Sequence, residues 1–234
     1  MKRRKFLKAA GGMVGIALAG PSAATIRFLQ AQEHIVKYAI VGTGGAGGRI
    51  VSQMAEMNQD WWINSSVSVE YFAVDTDRRS LDYVNNNVRR ILLPESHPEG
   101  LGSCIDPAFV RQVAWRHSDH LIDIPNDRGL EQRPVVVVVA GLGGGAGTGL
   151  AQAIAWQCRQ ARATTVVFAA MPFPWMKYHA FPLSRELRRL ERSAHVVVKV
   201  DQDESRPEML RAEVFAETDA KIAKKIRTLL VSGG

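Results

Sequence analysis

The stretch from Val135 to Leu150 reads VVVVVAGLGGGAGTGL and decides the fold. Pro134 precedes a valine run that continues to Ala140, and such a run is typical of a parallel strand buried on both faces. A glycine-rich turn follows, and an apolar periodic pattern then predicts a helix that ends near Cys158 or Arg159. The stretch therefore predicts a central strand, a glycine loop and a helix, in that order.

A second unit of this kind lies nearer the N-terminus. The segment Ile35 to Val41 is apolar and β-prone, GTGGAGG follows from Gly42 to Gly48, and an amphipathic helical pattern comes next. Glycine turns between a strand and a helix let the backbone approach a phosphate group, because free N–H groups and the helix dipole supply positive potential there. Two phosphate-binding loops are therefore predicted.

The remaining elements alternate along the chain. Strands are predicted at Val67 to Val74, Arg90 to Leu93, Thr165 to Ala170 and His195 to Val200, and helices at Ala108 to His120, Leu183 to Ser193 and Ala212 to Leu230. This alternation predicts an α/β fold with a doubly wound, mostly parallel sheet. Ligands bind such sheets at the carboxyl ends of the strands, where both glycine loops are expected.

Composition and charge narrow the functional classes. Apolar residues make up 46% and charged residues 23% of the chain, an ordinary globular composition. The formal net charge is +7, but six basic residues precede Glu33 and their removal leaves about +1. The body therefore offers no strong electrostatic case for binding nucleic acid. Cys104 and Cys158 are expected to be free thiols, and neither they nor the histidines show metal-ligand spacing.

The N-terminus resembles an export leader. It begins MKRRKFLK, and the pair Arg3 and Arg4 followed by a short, small-residue apolar stretch is typical of twin-arginine signals. We interpret residues 1–32 as a twin-arginine-like leader or membrane tether and 33–234 as the folded domain. The protein would be exported or membrane-tethered if the leader functions, and cytoplasmic otherwise.

The first loop alone leaves the ligand open. A Walker A loop is excluded because no Lys follows the glycines. Gly42, Gly44 and Gly47 fit GxGxxG, and Asp75 at the end of the next strand is in keeping with an NAD-type dinucleotide site. Asp75 lies 28 residues after Gly47, however, whereas about 20 are expected.

The second loop resembles the signature of the FtsZ/tubulin family. GGGAGTG from Gly143 to Gly149 is similar to the GGGTGTG or GGGTGSG of that family. AVDTD at Ala73 to Asp77 resembles its AxNTD, and the segment Gly100 to Ser103 resembles its terminal-phosphate loop. The likeness extends over about Ile35 to Leu230.

This resemblance implies a guanine nucleotide, GTP or GDP with Mg²⁺, lying across the sheet edge. The residues that it assigns to nucleotide binding are Gly44, Gly45, Gly48, Asp75, Gly102, Gly143, Gly144, Gly145, Ala146, Gly147, Thr148, Gly149 and Asp219. Thr148 could instead serve as a helix N-cap. Asp219 aligns with the guanine-contacting acid of the family, although a lone carboxylate on a helix is more often solvated.

Three departures from the family pattern bear on function. Met176 and Ala180 stand where the family has Glu and Arg near the ribose, and Gln202 replaces a nucleotide-contacting Asn. No acidic catalytic loop follows the last helix in this sequence, so the catalytic residues are unknown and GTP hydrolysis is expected to be weak or to depend on a partner.

The leading hypothesis is a divergent FtsZ/tubulin-like GTP-binding protein that assembles with itself or caps filaments of a full-length relative. An NAD-binding protein and a nucleotide-free structural module on the same fold remain as alternatives.

Overall fold

A computed structural model describes residues 37–57, 68–94, 99–102, 106–117, 134–173, 182–201 and 211–231. The predicted leader and several sequence-predicted positions, Ser103, Cys104, Met176, Ala180 and Gln202, lie outside the described residues.

Twelve helices and strands alternate in the described ranges. The strands are β1 (Lys37–Thr43), β2 (Ser68–Asp75), β3 (Arg89–Leu92), β4 (Val135–Gly141), β5 (Thr164–Ala170) and β6 (Val196–Val200), and the helices are α1 (Gly44–Glu56), α2 (Arg78–Asp82), α3 (Pro107–Arg116), α4 (Gly145–Gln160), α5 (Leu183–Ser193) and α6 (Arg211–Val231). Every predicted strand and helix is present, with ends that shift by a few residues. The largest shift is at α3, which ends at Arg116 instead of the predicted His120.

The six strands form one parallel sheet in the order β3-β2-β1-β4-β5-β6. The order reverses between the neighbours β1 and β4, which pair in parallel from Tyr38 opposite Val135 to Thr43 opposite Ala140. This pair is the topological switch point, at which open α/β sheets leave a crevice for ligands. The prediction of a doubly wound parallel sheet is confirmed.

The valine strand β4 lies in the middle of two hydrophobic layers. Val136 and Val138 face a core formed with α3, α4 and α5, while Val137 and Val139 face a core formed with α1, α2 and α6. All four valines are fully buried. Burial on both faces explains why this strand reads as a continuous apolar run. Among the described helices, none is both long and apolar enough to cross a lipid bilayer.

Candidate functional site

The two glycine loops touch each other at the carboxyl ends of β1 and β4. A Cβ atom built on Gly44 would lie 2.6 Å from the backbone nitrogen of Gly147, and the φ angle of Gly44 is +67°. Thr43 Oγ1 also donates a 3.0 Å hydrogen bond to the carbonyl oxygen of Gly147. Since only glycine lets two backbones approach so closely, the predicted phosphate loops form one continuous backbone surface.

The helices after these loops begin without side-chain caps. Thr43 and Gly144 are the N-cap residues of α1 and α4, neither makes a capping side-chain hydrogen bond, and neither first turn contains an acidic residue. By contrast, the carboxylates of Asp77 and Asp106 cap α2 and α3. A helix leaves its first N–H groups without intrahelical partners and carries partial positive charge there. The ends of α1 and α4 therefore suit an anion.

Gly144 faces open space. A Cβ atom on it would meet no heavy atom of the described residues within 4 Å, and its φ of −90° is accessible to any residue. Neither packing nor backbone geometry requires glycine here, whereas Gly143 needs its φ of 104°. The first turn of α4, which contains Gly145 and Ala146, begins directly behind this space. A bound phosphate is one occupant that the space fits.

Other predicted glycines serve packing. A Cβ atom on Gly149 would lie 2.6 Å from the carbonyl oxygen of Pro107, so glycine there lets α3 approach α4. Gly48 is buried in α1, where a Cβ atom would lie 3.3 Å from Val84 Cγ2. Packing accounts for both glycines without a ligand, and their contact with a phosphate stays a prediction.

Thr148 is buried inside α4. The helix begins at Gly145 with Gly144 as its N-cap, so the alternative that Thr148 caps the helix is wrong. Its side chain is 1% exposed, and within the described part of the chain Oγ1 has no hydrogen-bond partner. A buried polar atom without a partner is rare and calls for a physical explanation. An acceptor on a ligand in the glycine loops would satisfy this hydroxyl.

Asp75 stabilises the turn after β2. Its Oδ1 accepts hydrogen bonds from the backbone N–H groups of Thr76 at 2.7 Å and Asp77 at 3.3 Å. Burial raises the pKa of Asp75 to about 6, and the two backbone hydrogen bonds offset only part of that rise. Asp75 thus lies at the predicted sheet edge, with Oδ1 already used by its own turn.

Segment 99–102 is held against that turn. Thr76 Oγ1 donates a 3.1 Å hydrogen bond to the carbonyl oxygen of Gly102, and Asp77 and Gly100 form an antiparallel bridge. Gly102 has a φ of +68°, and a Cβ atom on it would meet no atom of the part of the chain that the structure describes within 4 Å. The segment therefore presents open backbone at the carboxyl end of β2, and its contact with a terminal phosphate stays a prediction.

Asp219 reaches the site from α6 and is not solvated. The residue is 4% exposed, and its Oδ2 accepts a 2.6 Å hydrogen bond from Nε of Arg49 on α1. Burial raises the pKa of Asp219, and the charge of Arg49 opposes that rise. The alternative of a solvated carboxylate is therefore wrong, while the guanine contact stays a prediction.

Sequence reasoning missed Arg49. Its Nη1 lies 3.7 Å from the position of a Cβ atom on Gly45, and its Cζ lies 5.5 Å from the centroid of the Phe215 ring. Phe215 in turn packs edge-on against the buried Phe173, with centroids 5.5 Å apart. A basic residue directly after GTGGAGG could have indicated an anion-binding role for Arg49. Its pairing with Asp219 could not be predicted, because the two residues are 170 positions apart in the sequence.

The described residues contain no preformed metal cage. No three His, Cys, Asp or Glu side chains among them come together as a metal site. Mg²⁺ is commonly held by one or two carboxylates together with phosphate oxygens and water. The predicted Mg²⁺ would therefore depend largely on the phosphates of a nucleotide.

Comparison with known proteins agrees with this geometry. Residues 37–204 match the family model for the GTPase domain of the Tubulin/FtsZ family. The cell division protein FtsZ of Methanothermobacter thermautotrophicus is 30% identical over 196 residues, which cover 82% of this chain and 48% of that protein. FtsZ of Pseudomonas aeruginosa is 29% identical over 175 residues, or 74% of this chain and 40% of that protein. The chain thus spans about half the length, or less, of these curated relatives.

Solved structures share the fold. An FtsZ dimer from M. jannaschii has a TM-score of 0.68 at 22% identity, covering 88% of this chain and 57% of that one. CetZ2 from Haloferax volcanii, solved as a GTPγS-bound protofilament, has a TM-score of 0.68 at 24% identity, covering 85% and 59%. The family match over 37–204, which contains both joined glycine loops, shows that this chain belongs to the tubulin/FtsZ family.

Proposed function

We propose that this protein binds GTP or GDP, with the phosphate chain on the joined glycine loops. The observation that carries this proposal is the open space at Gly144, which lies at an uncapped helix N-terminus. The buried Thr148 hydroxyl, which has no hydrogen-bond partner among the described residues, and the uncapped start of α1 support it. Free N–H groups and positive helix ends favour a phosphate over a neutral ligand.

Calorimetric titration of the full chain with GTP, GDP, ATP and NAD in the presence of Mg²⁺ tests this proposal. The informative variant is Gly144→Glu, which places a negative side chain in the open space, and the matched variant is Gly144→Gln. We expect the wild type to bind the guanine nucleotides, Gly144→Glu to lose binding, and Gly144→Gln to lose less because it lacks the charge. Unchanged binding by Gly144→Glu would contradict the proposed site.

The alternatives predict other results. An NAD site would use the carboxylate of Asp75, but Oδ1 of that residue accepts hydrogen bonds from its own turn, and the family match does not support such a site. NAD binding that GTP cannot displace would favour it nevertheless. A structural module would bind none of the four ligands, and it would leave the open glycine at position 144 of the second loop without a function.

We also propose that hydrolysis by the protein alone is slow. Three described carboxylates near the loops each use one oxygen within the protein: Asp75 with its turn, Asp77 with the backbone N–H of Arg79, and Asp219 with Arg49. We infer that these three carboxylates serve the structure of the site and that a carboxylate from a second molecule positions the attacking water molecule. Phosphate release from GTP, measured with the protein alone and after mixing with an assembling full-length FtsZ, tests this idea. Rapid turnover by the protein alone would contradict it.

A further part of the proposal concerns the assembly of the protein. We infer that the protein associates with itself or caps filaments of a fuller relative, which sedimentation with GTP and with GDP would reveal.

We propose that residues 1–32 direct export of the domain or tether it to a membrane. Changing Arg3 and Arg4 together to Lys in a reporter fusion should abolish export if these residues form a twin-arginine signal.

A further inference from the structure

Arg49 lies between the first glycine loop and α6. Its Nη1 is 3.7 Å from the Cβ position of Gly45, while its Nε is 2.6 Å from Asp219 Oδ2. The nearest atom to that Cβ position is Ser80 Oγ, at 3.4 Å. The guanidinium group therefore stands beside the open start of α1, where the proposed function places phosphates.

The two partners of the ion pair are unequally exposed. The side chain of Arg49 is 42% exposed and that of Asp219 is 6% exposed. A ligand that arrives from solvent would meet the guanidinium first, because the carboxylate lies behind it. In the described part of the chain only Nε of Arg49 makes a hydrogen bond, so the Nη donors remain available.

We propose that Arg49 is a phosphate ligand of the nucleotide, and that Asp219 positions Arg49 and does not read the guanine base. This inference rests on the proposed function. Under this inference Asp219, the polar residue of α6 at the site, contacts Arg49 and not the guanine base. Its role is to orient the cation that binds phosphate.

The contacts around Arg49 suit this role. A guanidinium group is a planar fork of donors, and a carboxylate on Nε leaves the other edge directed away from that carboxylate. The ring of Phe215 lies 5.5 Å from Cζ and restricts the plane of the group. An arginine held in advance loses less conformational entropy when it binds a ligand. Without Arg49, the buried carboxylate of Asp219 would repel a phosphate.

Base recognition by Asp219 predicts a different behaviour. The carboxylate would then have to release Arg49 or accept hydrogen bonds from the base with its other oxygen. Replacing it with Asn would reverse half of its hydrogen-bonding pattern, so discrimination between guanine and adenine would fall. Under our proposal the same change loosens Arg49 and weakens all phosphate-containing ligands alike.

The experiment compares the full-length wild type with Arg49→Gln, Arg49→Lys and Asp219→Asn in calorimetric titrations with GDP, ADP and pyrophosphate. We expect Arg49→Gln to weaken all three ligands by about 10- to 100-fold, the range of a hydrogen bond to a charged group. Arg49→Lys should lose less affinity than Arg49→Gln, because lysine keeps the positive charge although it lacks the planar set of donors. Asp219→Asn should weaken all three with an unchanged ratio of GDP to ADP affinity. Circular dichroism and thermal unfolding verify that each variant is folded.

Two results would overturn the inference while leaving nucleotide binding intact. One is unchanged pyrophosphate affinity in Arg49→Gln and Arg49→Lys, and the other is a collapse of the GDP to ADP ratio in Asp219→Asn. If the wild type bound none of the three ligands, the proposed function itself would fail, and this inference would fall with it.

Discussion

Gly44 and Gly147 are in backbone contact although they belong to loops on different strands. A methyl group on Gly44 would lie 2.6 Å from the nitrogen of Gly147. Gly144, three positions before Gly147, has no neighbour among the described residues that a methyl group would meet. Glycines in one signature therefore have two separable purposes, close packing of the loops and open access for a ligand.

Alanine substitutions should separate these purposes. Gly44→Ala should lower the free energy of unfolding by about 1–3 kcal/mol, because its φ of +67° is strained for alanine, and the clash with Gly147 adds to that loss. Gly144→Ala should change stability by less than about 1 kcal/mol but weaken nucleotide binding. Urea denaturation without nucleotide and calorimetry with GDP measure the two effects. Equal stability losses in both variants would contradict this distinction.

The hydroxyl of Thr148 provides a second prediction. Thr148→Val keeps the shape of the side chain and removes a buried oxygen that has no partner within the described ranges, so the nucleotide-free protein should gain about 1 kcal/mol of stability. Its affinity for GDP should fall if the hydroxyl contacts the ligand. The matched variant is Thr43→Val, which removes the hydrogen bond to Gly147 and should lose about 1 kcal/mol. Urea denaturation of the two variants should show opposite signs, and a loss in both would be evidence against an unsatisfied Thr148.

Asp75 predicts a pH dependence of stability. Its pKa is raised to about 6 in the folded protein, whereas an unfolded aspartate has a pKa of about 3.9. Between these values the folded state binds more protons, so the free energy of unfolding falls as pH rises, by up to about 3 kcal/mol in total. The loss from this residue is complete about one pH unit above its folded pKa of about 6.

Asp75→Asn tests this sign, since asparagine keeps a carbonyl oxygen for the backbone donors and cannot ionise. The variant should approach or exceed wild-type stability at pH 7 and lose that advantage at pH 4. Denaturant unfolding of both proteins across this range gives the difference curve, in which the titration of Asp219 largely cancels. A difference that does not change with pH would refute a raised pKa.

Cys158 should be chemically inert in the folded protein. It is a free thiol on α4, fully buried in the core, and burial raises its pKa to about 12. Because the thiolate is the reactive form, iodoacetamide at pH 8 should modify Cys158 only when the protein unfolds. The assay uses Cys104→Ser, so that one thiol is followed by mass spectrometry with and without urea. Rapid modification without urea would show that the core opens readily.

The sequence predicts the fold well because the decisive signals are local. Buried parallel strands read as apolar runs, and glycine loops mark the points where strands pass into helices. The segment Leu183 to Ser193 forms a helix with the predicted ends. Leu187 and Leu190 are three positions apart and therefore lie on one face of that helix, among basic residues. β1 instead continues to Thr43, two residues past its prediction, because pairing with β2 and β4 outweighs the glycine at position 42.

The site is harder to predict because its contacts join distant segments. The hydrogen bond from Thr43 to Gly147 spans 104 positions, and the ion pair between Arg49 and Asp219 spans 170. Residue types identify both glycine loops but do not reveal which glycines pack and which face open space. The direction of the Arg49 side chain is equally invisible, since it depends on Phe215 and Asp219 in the last helix.

The switch point between β1 and β4 has a mechanical consequence. α1 packs on one face of the sheet and α4 on the other, and their N-termini converge where the N-terminal and C-terminal halves of the sheet meet. A phosphate held by both helix ends would act as a noncovalent cross-link between these halves. A bound nucleotide would then resist sliding of one half of the sheet past the other. Without a nucleotide, the two halves would lack the connection through the helix ends and would rely on the β1–β4 pair.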